Sequence, residues 1–171
     1  MLNLSLVRHA KSDWNNFTGD DMSRPISSKG ERRTQKILNF LENKEKELIF
    51  EEIFCSPSRR TKETLKIFLN KISNVPEVFY LDDLYHSSGK DIFDTVILNA
   101  KKTKVLVVSH EPLLSSSLEN FFYGSKNKYY LNAVEKYTTS AFFNVSFSCK
   151  EWFEIKKSIS KINYFIKPKD L

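Results

Sequence analysis

The chain has 171 residues, 40% of them apolar and 13% aromatic, a composition that excludes a disordered or fibrous protein and fits about one globular domain. Lys and Arg number 27 against 21 Asp and Glu, a net charge of +6, which favours anionic ligands in general and names none. No run approaches the roughly 18–20 apolar residues of a membrane span. The N-terminus, Met1–Val7, is too polar and too short to read as a signal peptide and has no basic n-region. The two cysteines, Cys55 and Cys149, are too few for a disulfide framework or a four-thiolate zinc site, so a reducing cytoplasm is the expected location.

Strand and helix signals alternate from the start. Leu2–Val7 reads as a strand, and residues 10–27 form a polar connection containing Asp20-Asp21 and Arg24-Pro25. Ser28-Lys29-Gly30-Glu31 reads as a capping box, with Ser28 as N-cap, opening a helix to about residue 46. Ile37, Leu38, Leu41 and Leu48 mark its apolar face. Ile49–Cys55 predicts a second strand. Ser56-Pro57 then reads as a helix start, Ser capping and Pro in the first turn, with Leu65, Phe68, Leu69 and Ile72 facing inward. Val78–Leu81 predicts a short third strand. Ser88 is expected to cap a helix to about Lys101.

Val105–Val108 is a continuous β-branched and leucine run, expected to be a central strand buried on both faces. Pro112 begins a helix to Phe122, ended by Tyr123-Gly124. Residues 125–139 carry no clear period. Ala141–Phe147 alternates and predicts a half-covered antiparallel strand. The last twenty residues, with Trp152, Ile162 and Phe165, are expected to pack back on the sheet. There are no internal repeats or linkers, so one domain over residues 1–171 is expected. The fold class expected is α/β: a three-layer sandwich, mostly parallel central sheet with an antiparallel C-terminal strand, helices on both faces.

The rare residues fall in phase with this pattern. The histidines are His9, His86 and His110, and each follows a predicted strand. Arg8 flanks the first, and Arg59-Arg60 follow the second strand. All six arginines lie within the first 60 residues, among 21 lysines spread along the chain. Ligands of open α/β sheets bind beyond the carboxyl ends of the strands. Helix N-termini there offer unpaired N–H groups and a positive dipole end, which suit an anion. A pocket of Arg8, Arg60, His9 and His110 has no glycine-rich phosphate loop and no evident set of carboxylates to hold Mg²⁺. Its chemistry would be that of an imidazole attacking phosphorus, with guanidiniums and the second imidazole neutralising the oxygens. No metal or other cofactor is expected.

Three segments carry a family resemblance. Leu6-Val7-Arg8-His9-Ala10-Lys11-Ser12 resembles the Arg-His-Gly signature of the histidine phosphatase (phosphoglycerate-mutase-like) superfamily. Ser56-Pro57-Ser58-Arg59-Arg60-Thr61-Lys62-Glu63-Thr64 resembles its Ser-Pro motif and places the family arginine on Arg60. Val107-Val108-Ser109-His110-Glu111-Pro112 resembles its late Gly-His motif. The chain is most similar to the small SixA-type phosphohistidine phosphatases, sharing also Arg24-Pro25-Ile26, Leu84-Tyr85 and a Pro-Lys ending. The resemblance implies that His9 accepts the phosphoryl group and that Arg8, Arg60 and His110 form the phosphate pocket. Lys11, Ser12, Asn15 and Arg24 are candidates for substrate contact.

Three positions depart from the pattern: Ala10 and Ser109 replace glycine, and Glu111 replaces an expected Asn. A carboxylate at 111 would raise the pKa of His110 or repel phosphate. The acid-bearing insertion of larger members is missing, leaving His86 and Glu111 as candidate acids. The expected partner is a phosphorylated protein or a small phosphorylated substrate, with neither nucleic acid nor membrane involved and the oligomeric state open. A small-molecule phosphomonoesterase or mutase on the same fold, and a non-catalytic phosphate-binding module, are the alternatives.

Overall fold

The computed structural model describes residues 1–15, 17–45 and 47–171. The strands are β1 (Leu2–Arg8), β2 (Glu52–Cys55), β3 (Glu77–Tyr80), β4 (Lys104–Ser109), β5 (Phe142–Phe147) and β6 (Ser160–Ile166). The helices are α1 (Ser28–Lys44), α2 (Arg59–Leu69), α3 (Ile92–Asn99), α4 (Leu113–Phe121) and α5 (Lys128–Glu135). Short 3-10 turns add Asp21–Ser23, Asp82–Leu84, Trp152–Lys157 and Pro168–Asp170. Among the described residues the strands form one six-stranded sheet in the order β3-β2-β4-β1-β5-β6. β3, β2, β4 and β1 run parallel, β5 is antiparallel to β1, and β6 is antiparallel to β5.

Alternation along each strand sends side chains to two separate cores. Leu4, Leu6, Val105, Val107, Phe143 and Val145 pack with Ile92, Val96, Leu114 and Leu118 of α3 and α4 and Ala133 of α5. Val7, Ile53, Leu106, Val108 and Phe142 pack on the other face against Ile37, Leu38 and Leu41 of α1 and Leu65 and Phe68 of α2. The result is the expected three-layer α/β arrangement. β4 lies between β1 and β2, and Val105–Val108 are all fully buried, as its unbroken apolar run predicts.

Several local expectations are corrected. α1 is capped by Ser27, whose hydroxyl accepts from the Gly30 N–H at 3.1 Å, not by Ser28. A bridge between Ser12 and Ile26 and a bond from the Ser27 N–H to the Lys11 carbonyl hold residues 26–27 extended, and the helix begins at Ser28, one residue earlier than expected. Its expected end near residue 46 falls outside the described residues. α2 starts at Arg59 with Ser58 as cap, because the Ser56 hydroxyl is engaged by His110. Leu69 is not in the core but 39% exposed. α3 is capped by Asp91 rather than Ser88. Residues 128–135 are helical, a segment the sequence left untyped.

The register places the site. Arg8 pairs with Ser109 and Cys55 with Val108. His9, Ser56 and His110 therefore emerge together, one step beyond the carboxyl ends of three adjacent parallel strands.

Candidate active site

His9 leaves β1 with its N–H bonded to the Ser109 carbonyl at 3.0 Å. The Ser140 N–H lies 3.1 Å from the Arg8 carbonyl and 3.2 Å from that of His9. Ser140 sits in the left-handed region at φ 62° and its hydroxyl meets that of Thr34 at 2.8 Å. The next residue is tied as firmly: the Ala10 N–H donates to Thr64 Oγ1 of α2 at 2.8 Å. Gly30 of α1 completes the support. A Cβ there would stand 2.4 Å from the Lys11 carbonyl oxygen, so only glycine admits this approach.

The His9 ring is 7% exposed, and its Nδ1 lies 2.7 Å from the Ala10 carbonyl. A carbonyl only accepts, so Nδ1 carries the hydrogen and Nε2 carries the lone pair. Burial, reinforced by Arg8, Arg60 and Arg24, lowers the His9 pKa from 6.5 to about 3 against the opposing pull of the Ala10 carbonyl. The ring is therefore neutral at pH 7.

His110 stands 5.0 Å from His9, ring centroid to ring centroid. Arg60 Nη2 is 3.2 Å from its Nδ1 and Ser56 Oγ is 2.7 Å from its Nε2. A guanidinium only donates, so Nδ1 accepts and the hydrogen sits on Nε2, directed at Ser56. Burial, with His9, Arg60 and His86 adding to it, lowers the His110 pKa to about 2. The expected upward push from Glu111 is not what sets this ring.

Arg60 is 2% exposed. Its Nη1 reaches the Asp21 carbonyl at 2.6 Å and its Nη2 the Asp21 carboxylate at 2.9 Å. Asp21 is the organising residue that sequence reasoning missed. Its carboxylate also accepts from Arg24 Nη1 at 2.6 Å, from the Tyr85 hydroxyl, and lies 3.3 Å from His86 Nε2. These bonds outweigh the cost of its own burial and hold its pKa well below the ordinary carboxylate range. The available signal was Asp20-Asp21 standing just ahead of Arg24, which the sequence shows only as polar loop.

Arg8 donates from Nη1 to the Tyr137 carbonyl at 2.8 Å. Burial lowers its pKa; Glu111 pulls it back up and Arg60 pushes it down. Glu111 accepts from the Ser115 N–H at 2.9 Å and the Ser115 hydroxyl at 2.7 Å, so it caps the start of α4. Burial raises its carboxyl pKa. Ser109, the other departure, gives its hydroxyl to the Leu84 carbonyl at 2.7 Å and tethers the segment before Tyr85 to β4.

A cavity of about 280 Å³ gathers these groups. Of the ten predicted site residues, Arg8, His9, Lys11, Ser12, Arg24, Arg60, His86, His110 and Glu111 line it. Asn15 does not: its N–H bonds to Asp13 Oδ1 in an exposed turn. Trp14, not singled out in the sequence, lies at the cavity with the Arg24 guanidinium 3.7 Å from its ring centre. With the rings of His9 and His110 neutral, the four cations Arg8, Lys11, Arg24 and Arg60 face the two carboxylates of Asp21 and Glu111, so the cavity is electropositive. Among the described residues no group of three or more His, Cys, Asp or Glu is placed to hold a metal ion.

Residues 4–85 match the model of the histidine phosphatase superfamily, branch 1. None of the curated proteins compared matches the chain. Among solved structures, the protein histidine phosphatase SixA complexed with tungstate is 19% identical, with 99% of each chain covered and a TM-score of 0.76. A protein described as phosphohistidine phosphatase SixA from Agrobacterium tumefaciens is 17% identical over 97% of each chain, with a TM-score of 0.78. Phosphoserine phosphatase from Entamoeba histolytica, in complex with 3-phosphoglyceric acid, is 13% identical over 96% of each chain at a TM-score of 0.58. The fold is that of the histidine phosphatases. The family model covers the N-terminal part of the chain, and the architecture of the chain as a whole is similar to that of the SixA structures.

Proposed function

We propose that this protein is a phosphatase that removes the phosphoryl group from phosphohistidine on a protein surface, by way of a covalent intermediate on His9. One observation carries the reading: a neutral His9 with its lone pair on Nε2, held next to Arg60 and His110 in an electropositive cavity.

The Ala10 carbonyl fixes the ring through Nδ1–H, so Nε2 attacks phosphorus while Nδ1 stabilises the positive charge that develops. Arg8 and Arg60 neutralise the equatorial oxygens as the P–N bond to the substrate imidazole breaks and the bond to His9 forms, while His110, its Nε2–H given to Ser56, holds Arg60 in place through Nδ1. The substrate ring, protonated at its far nitrogen, departs as neutral imidazole. Water then adds to phosphorus, and His9 leaves with inorganic phosphate as product. An imidazole leaving group asks less of an enzyme acid than an alkoxide does. That fits a cavity where Glu111 is occupied by Ser115 and His86 by Asp21. We read Lys11, Ser12 and Arg24 as contacts to substrate.

The test is a substrate comparison. A histidine-phosphorylated peptide should be hydrolysed far faster than sugar phosphates, in the presence of a chelator, and His9→Ala should abolish turnover. His86→Gln should leave peptide turnover nearly unchanged. Fast cleavage of sugar phosphates that depends on His86 or Glu111 would instead favour a phosphomonoesterase.

A further inference from the structure

Beside the candidate active site lies a second concavity of about 400 Å³, lined by Arg8, Lys11, Arg33, Lys136, Lys169 and the Thr138-Thr139 pair. It shares Arg8, Lys11 and Thr139 with the first cavity, so the two adjoin. Five cations line it and no carboxylate does. Among the described residues none of those five forms an ion pair, although the chain carries 21 acidic residues. Like charges gathered around one hollow repel, and the ordinary remedy of interspersed carboxylates is missing. Two buried atoms of lining residues, Arg8 Nε and Thr138 Oγ1, also lack a hydrogen-bond partner, a cost that a bound acceptor removes for any group it reaches.

The cations come from four separate places: the end of β1 with the segment after it, α1, the residue that follows α5, and the C-terminal 3-10 turn. Their convergence is a property of the fold rather than of one lysine-rich stretch. The supports are firm: Gly30 seats α1 against Lys11, and Pro168 is buried.

We infer that this hollow is a second anion subsite, which takes a carboxylate or phosphoryl group carried by the same substrate whose transferred phosphoryl group sits at His9. The inference rests on the phosphatase reading for the identity of the first anion. Arg8, lining both cavities, stands between the two negative groups. Substrates with an acidic or phosphorylated neighbour close to the reacting group are thereby selected over those without one.

Calorimetric binding of alkylene bisphosphonates of increasing length, each against the alkyl monophosphonate, tests this without turnover. Arg33 is half-buried and Lys136 and Lys169 are exposed, and with all three contributing, at least one bisphosphonate should bind about tenfold tighter than the monophosphonate. In the variant R33Q/K136Q/K169Q that advantage should vanish, while monophosphonate affinity and turnover of an aryl phosphate stay within about twofold of the original. A phosphonocarboxylate series run in parallel identifies the second group. A gain retained there assigns a carboxylate; a gain confined to bisphosphonates assigns a phosphoryl group. Equal affinity for one and two anions at every length, or an advantage that survives the triple variant, overturns the subsite. If the bisphosphonate advantage holds but the wild-type protein turns over no phosphate ester or phosphohistidine, the phosphatase reading fails and the subsite stands.

Discussion

At the scale of single residues, the site depends on which nitrogen of each imidazole holds the hydrogen. The Ala10 carbonyl decides this for His9 and the Arg60 guanidinium for His110. Asp21 stands behind both, because it fixes Arg60 and Arg24 together. Asp21→Asn keeps the shape and removes the charge. It should cost about 1–2 kcal/mol, less than breaking a fully buried pair because Asp21 is partly exposed. Misplacement of Arg60 should lower kcat/KM by about 10- to 100-fold. Thermal denaturation and steady-state kinetics measure the two effects. A second consequence concerns pH. The His9 pKa is lowered to about 3, so the neutral, nucleophilic form persists well below the ordinary imidazole value of 6.5. After correction for substrate ionisation, kcat/KM should show no loss from His9 between pH 6.5 and 4.5. A tenfold fall per pH unit below 6.5 is what an unperturbed histidine would give.

At the scale of elements, the position of α1 is set by a cap and a glycine rather than by its apolar face alone. Ser27→Ala should destabilise by about 1 kcal/mol, the usual worth of an N-cap hydroxyl, while Ser28→Ala should be close to neutral; urea denaturation separates the two. Gly30→Ala is the sharper change, since its Cβ would meet the Lys11 backbone at 2.4 Å. Overpacking of this kind costs about 1–3 kcal/mol. Because the displaced segment follows directly on His9, activity should fall with stability. The same element shows why its cap was misread. Ser27 and Ser28 are indistinguishable by local spacing, and the choice between them is made by the Ser12–Ile26 bridge, a long-range pairing. Likewise Ser56 looks like a helix cap until His110 claims its hydroxyl. α5 escaped notice because it buries only Tyr130 and Ala133, too few positions to show a period. β6 was left untyped; a bulge at Asn144/Val145 shifts its register against β5.

At the scale of the whole molecule, the sheet order brings distant motifs to one edge, and this was legible. His9 follows β1, Arg60 follows β2 and His110 follows β4, and residues placed after strands share an edge wherever those strands are parallel neighbours, as β2, β4 and β1 are. Asp21 was not legible, because it comes from a loop whose path depends on contacts with α2 and with the segment around Tyr85. Burying two neutral imidazoles also has a global effect. On unfolding, each regains a pKa near 6.5 and binds a proton that the folded state excludes, down to about pH 3 for His9 and about pH 2 for His110. The unfolded chain thus binds more protons, and stability falls as pH drops below 6.5. Glu111, raised by burial, works in the opposite direction just above pH 4.5. Urea denaturation at pH 6.5 and 4.5 should therefore show a marked loss in the wild-type protein, and a smaller one in a variant with both His9 and His110 changed to Gln.

The most direct measurement is chemical capture of the phosphorylated protein. During turnover of a radiolabelled phosphohistidine peptide, quenching in alkali, where phosphohistidine survives, should leave label on the peptide fragment containing His9 and nowhere else. The label should vanish in His9→Ala, and in the wild type it should decay at the rate phosphate appears. Turnover with no label on His9, or label that persists in His9→Ala, would contradict the assignment of this imidazole as the phosphoryl acceptor.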